Sequence, residues 1–414
     1  MKIALVNQSD NDGGAARAAY RIHRALISIH QDSQMWVNDS RTGDETVKLP
    51  LNAIQRAMGK LRKPVAGLLS YMAHTSNSGL SSPALFPSFW PGRLNDSDAD
   101  IVNLHWINRE MMSVHDLSRI RKPVVWTLHD MWPFCGAEHY TQDCRWKDGY
   151  RVNDFSSVGF GLDLNRFVWE RKKESWKVQM NIVCPSNWLA DCVRQSALMR
   201  DWPVRVIHNP INTELWLPGD RELSRHQLNL PTDVPLLLFG AMGGAADPRK
   251  GFRFLQQALY CLRGKMKNMQ LIVFGQSSPR RPPDLGFPVH YMGPISSTQH
   301  LQLLYRSADA LVIPSLQDNL PNIGLEALAS GLPIVAFDIC GMPDIVKHED
   351  TGYLANAFDS EDLAVGIQWV MADDARQKRL REAARGEAVR RFSYPIIAEQ
   401  YVRAYSDALD CYYS

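Results

Sequence analysis

The chain has 414 residues, 45% of them hydrophobic and 22% charged, values of a globular protein with a full core and room for two or three domains. Lys and Arg (46) nearly cancel Asp and Glu (44), leaving a formal charge of +2, so nothing points to nucleic acid and any basic patch is local. No apolar run approaches the ~20 residues of a membrane span. The amino terminus, MKIALVNQSD, turns polar too early for a signal peptide, and the irregularly spaced cysteines fit reduced thiols, so the expectation is a cytoplasmic protein.

In chain order, Lys2 to Val6 forms an apolar strand, Asn7 to Gly14 a polar loop, and Ala15 to Ile27 a helical pattern. Gly13-Gly14 at a helix start suits close backbone approach to a phosphate, and suits a tight turn equally well. The dinucleotide pattern G-x-G-x-x-G is absent at this position. Residues 51–73 place Arg56, Lys60, Arg62 and Lys63 among apolar positions. This basic amphipathic pattern fits an anionic membrane surface, although Pro64 interrupts it and an ordinary surface helix is the stronger reading. Thr75 to Asp100, rich in Ser, Pro and Asn, reads as a long loop.

Three apolar strands follow with helical spacers: Asp100 to His105, Pro123 to His129, and Asn181 to Pro185. Two of them end in polar and aromatic clusters, His105-Trp106-Ile107-Asn108 and Thr127 to Trp132, which a parallel sheet gathers along one edge. His129 is the best catalytic candidate of this half, against a purely structural histidine at a strand end. The loop Cys135 to Cys144 carries Glu138, His139 and Tyr140. Two cysteines are fewer than a closed zinc site requires, so it reads as an acceptor-binding loop and no metal is expected.

From Val204 to Pro235 polar and Pro-rich residues with little periodicity mark a crossover between domains. A second series of strands begins at Leu236 to Gly240. The loop Ala241 to Gly251 keeps an open backbone at Gly243 and Gly244 and brings Arg249 and Lys250 to the strand's carboxyl end, where they suit phosphate. Gln270 to Gly275 and Val289 to Gly293 are further strands. Then comes a strand (Ala310 to Pro314), a polar loop (Ser315 to Asn322), a helix carrying Glu326, and a strand (Pro333 to Phe337). This βαβ order puts the loop at the carboxyl end of a parallel sheet, beside helix amides that favour an anion. Asp318 and Glu326 there suit hydroxyls, and a nucleotide sugar supplies both phosphates and hydroxyls. The plainer alternative is that Asp318 caps the helix and Glu326 is a solvated acid. The last helix, Tyr394 to Leu409, has aromatic residues at core spacing.

Several of these segments resemble motifs of one family. Asp318 and Glu326, with the run LEALASGLP from Leu325 to Pro333, resemble the acid-x7-acid motif of the family-4 retaining glycosyltransferases, with Asp where the first acid is usually Glu. Thr127-Leu128-His129-Asp130 resembles that family's T-x-H-D segment, and Asn209-Pro210-Ile211-Asn212 its crossover. Lys250-Gly251 resembles the end of its phosphate loop, although Ala241-Met242 stands where Gly-Arg is expected. Thr351-Gly352-Tyr353-Leu354 resembles its T-G-x-L.

The resemblance implies an α/β chain of the GT-B fold, two doubly wound Rossmann-like domains facing a cleft. Residues 1–209 would be the acceptor-side domain, 210–385 the nucleotide-sugar-binding domain, and 386–414 a C-terminal helix packing back toward the first. It implies a retaining hexosyltransferase moving a sugar from a nucleotide-diphosphate donor to a hydroxyl of a glycan or lipid-linked acceptor, of the bacterial surface-polysaccharide and lipopolysaccharide type. By the same resemblance His129, Lys250 and Asp318 would be catalytic. Gly13, Gly14, Arg249, Lys250, Gly293, Asp318, Asn319, Asn322 and Glu326 would bind the donor, and His105, Trp106 and Trp132 would face the acceptor. No metal and no cofactor is expected beyond the donor, and the location expected is cytoplasmic with peripheral contact at the inner membrane face. The alternatives are a nucleotide-sugar epimerase or hydrolase of the same fold, or a non-catalytic nucleotide-sugar-binding protein.

Overall fold

The computed structural model describes residues 1–50, 62, 80–151, 163–240 and 247–414. The basic segment 51–73, apart from Arg62, lies outside the described residues, as do Ala241-Met242 and the pair Gly243-Gly244. The chain divides into two compact units, Met1–Pro210 with Ile397–Ser414, and Ile211–Ile396.

The first unit is built on a parallel sheet of β1 (Lys2–Ser9), β2 (Asp32–Asp39), β3 (Val47–Lys48), β4 (Ile101–Leu104), β5 (Val124–Thr127), β6 (Asn181–Cys184) and β7 (Val204–Val206), in the order β3-β2-β1-β4-β5-β6-β7. The order reverses at β1, which pairs with both β2 and β4. At such a switch point the loops leaving two adjacent strands part to opposite faces and open a ligand crevice. Here those loops begin at Asp10 and His105, since β1 runs three residues past the Val6 expected as its end. The helix Gly14–Ser28 follows β1 because an Ala-rich stretch turns Ala18, Ala19, Ile22, Ala25 and Leu26 onto the sheet.

In this unit the last helix, Tyr394–Tyr413, buries Tyr401 and Tyr405. The Tyr405 hydroxyl donates to Asn103 Oδ1 at 2.7 Å, and Tyr401 Oη lies 3.3 Å from Thr127 Oγ1. The stretch expected as a long loop contains the helix Trp90–Asn95, anchored by a Trp90 with no exposed surface. Its approach is fixed by Glu110, whose buried carboxylate accepts from the backbone N–H groups of Ala84, Leu85 and Phe86. A short helix anchored by one large residue leaves no periodicity to read.

The second unit has a parallel sheet of β8 (Leu236–Gly240), β9 (Gln270–Phe274), β10 (Val289–Gly293), β11 (Ala310–Ile313), β12 (Ile334–Phe337) and β13 (Gly352–Ala355), in the order β10-β9-β8-β11-β12-β13. Leu236 and Leu238 pack into one core cluster and Leu237 and Phe239 into another. Both faces are therefore covered, which is why these strands read as unbroken apolar runs. The switch point falls between β8 and β11. In the stretch read as irregular, the helix Arg221–Gln227 is a correction. Asp220 caps it, and the buried Arg225 donates to Asp309 Oδ2 at 2.7 Å and to the Ser307 carbonyl at 2.8 Å. Polar clamps rather than an apolar stripe hold it, so hydrophobic periodicity missed it.

Candidate functional site

In the second unit, Arg249 and Lys250 lie on the turn Pro248–Lys250 that follows β8, where Asp247 accepts from the Arg249 N–H at 3.0 Å. The next residue, Gly251, has φ +68°, and a Cβ placed on it would sit 1.7 Å from the Pro314 carbonyl oxygen. The Leu316 N–H donates to the Arg249 carbonyl at 2.7 Å. Only a glycine lets the two switch-point loops come this close. That approach brings Lys250 Nζ to 2.6 Å from Asp318 Oδ2, with both side chains partly exposed. The Arg249 guanidinium meets Asp247 at 2.7 Å.

Asp318 does not cap the following helix. Asn322–Ala329 has Pro321 at its N-cap, without a side-chain cap. Glu326 is not a solvated acid either. It is 2% exposed and its Oε2 accepts from the Tyr305 hydroxyl at 2.8 Å, with Tyr305 itself wholly buried. The plainer alternative for both acids therefore fails on geometry. Asn319 is buried beside Asp318 and Asn322 opens the helix half-buried. Gly293 ends β10 at φ +70°, its carbonyl accepting from Gly275 N–H at 2.9 Å. Sequence reading passed over Cys340, which holds φ +53° next to Gly341, whose N–H donates to the Asp318 carbonyl at 3.2 Å. Burial pushes the Cys340 thiol up to about 11. A non-glycine residue at positive φ leaves no mark in sequence.

In the first unit, the β4 and β5 ends bring His105, Trp106, His129 and Asp130 together. His105 Nδ1 and His129 Nε2 are 3.1 Å apart and the rings stack at 5.3 Å. Burial pushes the His129 imidazole down to about 4, against a smaller opposing pull from Asp130, and pushes His105 well below its ordinary range. Asp130 is a hub. Its Oδ2 accepts from Trp106 Nε1 at 2.8 Å and lies 2.6 Å from His139 Nδ1, and its Oδ1 accepts from the Trp132 N–H at 3.0 Å. His139 Nε2 reaches Ser82 Oγ at 2.8 Å. The loop read as acceptor-binding thus directs His139 to a carboxylate, and among the described residues no group of His, Cys, Asp and Glu could hold a metal ion.

Trp106 stays half-buried, and its backbone N–H donates to Asn7 Oδ1 at 2.8 Å, which ties the loop after β4 to β1. Gly13 takes φ +92° and Gly14 opens the helix after β1. Trp132 is corrected. It has no exposed surface, its indole N–H donates to the Ser82 carbonyl at 2.8 Å, and it packs edge-on against Trp126 and Trp176. Its size suits a core better than a rim, and it presents nothing to an acceptor.

Two family models match this chain, the one described as Glycosyltransferase Family 4 over residues 13–215 and the one described as Glycosyl transferases group 1 over residues 236–373. Among solved structures, sucrose-phosphate synthase from Thermosynechococcus elongatus superposes with a TM-score of 0.66 at 18% identity, covering 99% of this chain and 100% of that one. The chain has the GT-B fold. Anabaena HepE in complex with UDP-glucose is similar at a TM-score of 0.66 and 16% identity, over 98% of this chain and 100% of that one. In sequence, the chain is 30% identical over 222 residues to a D-inositol 3-phosphate glycosyltransferase of Corynebacterium glutamicum, half of this chain and 52% of that one. The chain thus spans about half the length of that curated relative. Among the described residues, no helix of this GT-B chain is long and apolar enough to cross a membrane.

Proposed function

We propose that this chain is a retaining glycosyltransferase that moves a hexose from a nucleotide-diphosphate sugar to a hydroxyl of a glycan or lipid-linked acceptor, in cell-surface polysaccharide synthesis. The observation that carries the reading is the meeting of Lys250 and Asp318 at the switch point of the second unit, with Glu326 buried eight residues on. A cation for phosphate and carboxylates for hydroxyls at one strand edge fit a nucleotide sugar better than either half of it alone. The complex of HepE with UDP-glucose supports a UDP-sugar as the first donor to test.

In this reading Lys250 and Arg249 hold the donor diphosphate, together with amides near Asn322 and the turn at Gly293 in the same unit. Asp318 and Asn319 take sugar hydroxyls and Glu326 the ribose. His129 contacts the donor sugar, and His105 and Trp106 border the acceptor. The bond from the sugar anomeric carbon to the diphosphate oxygen breaks as the bond to the acceptor oxygen forms on the same face. The acceptor proton goes to the departing diphosphate. Protein cations aimed at the leaving charge lower the barrier, which is commonly the largest catalytic contribution. The chemistry proposed requires no metal and no cofactor besides the donor, and a peripheral site at the cytoplasmic membrane face suits a lipid-linked acceptor.

The test is a thermal-shift and product-release screen against UDP-, GDP- and ADP-sugars, with and without a bacterial lipid extract. Stabilisation by one nucleotide series with acceptor-dependent release of its diphosphate, and retention at the anomeric carbon by proton NMR, is expected. No shift with any nucleotide sugar overturns the reading. Lipid-independent interconversion of the sugar replaces it with an epimerase.

A further inference from the structure

We propose that His139 is a positioning residue: through Asp130 it fixes the indole plane of Trp106 as a stacking surface for a sugar ring of the acceptor. The inference rests on the reading of this chain as a sugar transferase, but the hydrogen bonds that set the indole belong to the first unit alone.

Trp106 follows the end of β4 at the switch point of that unit and is half-buried. An indole has one N–H donor and no acceptor. That donor goes to Asp130 Oδ2 at 2.8 Å. Against the upward push of burial, His139, the Trp132 N–H and Trp106 hold the Asp130 carboxyl below its ordinary range, so it is ionised and accepts only. His139 Nδ1, 2.6 Å from the same oxygen, therefore carries a proton and donates it. Its Nε2 reaches Ser82 Oγ at 2.8 Å, where a hydroxyl suits either direction of donation. The result is a line from Ser82 through His139 and Asp130 to Trp106, with the first three almost wholly buried and the last reaching the surface.

An indole held by one N–H alone could swing about that bond. The His139 ring limits the swing, its centroid 5.4 Å from the Trp106 ring and its plane tilted by 39°. The neighbouring Trp132 shows the other way to fix such a ring, wholly buried among Trp126 and Trp176. A ring that must stay open on one side cannot be held by packing all round, and a paired polar line does the work at no cost in unsatisfied groups. Beside the open indole lies the Arg109 guanidinium, 5.5 Å from the ring centroid and joined to Asp12 at 3.0 Å, both of them exposed side chains. An aromatic surface bordered by hydrogen-bonding groups suits a pyranose, whose C–H groups line a face and whose hydroxyls point outward. A free phosphate or an alkyl chain would use only one of the two.

The test compares two substitutions that keep different contacts. His139→Asn places an amide N–H near the position of Nδ1, within reach of Asp130, whereas His139→Gln places one near Nε2, toward Ser82. The full chain is assayed with the nucleotide sugar selected by the screen above and a dilution series of the bacterial lipid extract. Gln is expected to raise the acceptor KM by about tenfold, the equivalent of one hydrogen bond, with kcat and nucleoside diphosphate affinity within about twofold of wild type. Asn is expected to stay near wild type. Filling a polar core would be disturbed alike by both, so equal loss, or no loss in either, with both variants folded by circular dichroism, overturns the proposal. A second measurement needs no turnover. In chain labelled with fluorotryptophan, with Trp106→Phe for assignment, the Trp106 fluorine resonance is expected to be single and narrow in wild type and Asn, and broadened or split in Gln. An unchanged resonance in Gln overturns the positioning role, whereas absence of turnover with every nucleotide sugar overturns the functional reading and leaves this spectrum to decide whether His139 sets the indole.

Discussion

Gly251 is the position where one methyl group tests the link between backbone geometry and the candidate donor site. Gly251→Ala adds a Cβ at φ +68°, a conformation that costs a non-glycine residue about 1–2 kcal/mol. The same Cβ would lie 1.7 Å from the Pro314 carbonyl oxygen, and because that atom is backbone no side chain can swing away. The loops must part, which lengthens the 2.7 Å bond from the Leu316 N–H to the Arg249 carbonyl at about 1 kcal/mol. The sum, roughly 3 kcal/mol, corresponds to a Tm lowered by about 6–12 °C in a unit of this size. Separation of the loops also draws Lys250 from Asp318, so nucleotide affinity falls by at least about tenfold for an electrostatic contact moved out of reach. Differential scanning fluorimetry and calorimetric titration with the preferred nucleoside diphosphate read both effects. An Ala variant with wild-type Tm and wild-type affinity would refute the claim that this glycine holds the site together.

Three further outcomes are expected. Tyr305→Phe removes the hydroxyl bound to buried Glu326 and costs about 1–3 kcal/mol in urea unfolding, with weaker binding of the nucleoside diphosphate. Trp132→Phe loses the bond to the Ser82 carbonyl and lowers stability by about 1–3 kcal/mol, while the acceptor KM stays unchanged because the indole reaches no surface. Acid should weaken the first unit through His23, wholly buried between Ser33 Oγ and Thr46 Oγ1 and pushed by burial down to about 4. Above its unfolded value near 6.5 both states are neutral and nothing changes. Below it the unfolded chain gains a proton that the folded one refuses, so stability falls by about 3 kcal/mol between pH 6.5 and 4. A His23→Gln variant is expected to flatten that slope by the same amount in unfolding at a series of pH values.

The alternating strands were legible because parallel sheets buried on both faces demand continuous apolar runs, as at Leu236–Gly240 and Ala310–Ile313. The order of those strands was not. β8 and β11 are neighbours in space, yet 68 residues separate Lys250 from Asp318, and no local pattern announces their ion pair. The same holds for Asp130 and His139, which sequence left on separate loops and the fold joined at 2.6 Å. Trp132 misled for a related reason. Aromatic residues at strand ends suit ligand rims and domain cores alike, and only the surrounding Trp126 and Trp176 decide between them.

Asp318 is where the sequence departs from the pattern it resembles and where the structure gives the departure a consequence. A carboxylate one methylene shorter than Glu stands closer to its own backbone, which the Gly341 N–H fixes through the Asp318 carbonyl at 3.2 Å. Its Oδ2 is engaged with Lys250 at 2.6 Å, so a diphosphate and this carboxylate compete for the same ammonium group. Lys has three N–H donors and can serve both. Asp318→Asn removes the competing charge and is expected to tighten binding of the nucleoside diphosphate alone, by up to about tenfold for a partly exposed pair. The same variant should lose turnover, since the neutral amide accepts a sugar hydroxyl less strongly than a carboxylate does. Calorimetry with the diphosphate, beside initial rates with the intact donor, separates the two effects. Weaker diphosphate binding in Asp318→Asn would show that the carboxylate chiefly orients Lys250, and the competition reasoned here would be wrong.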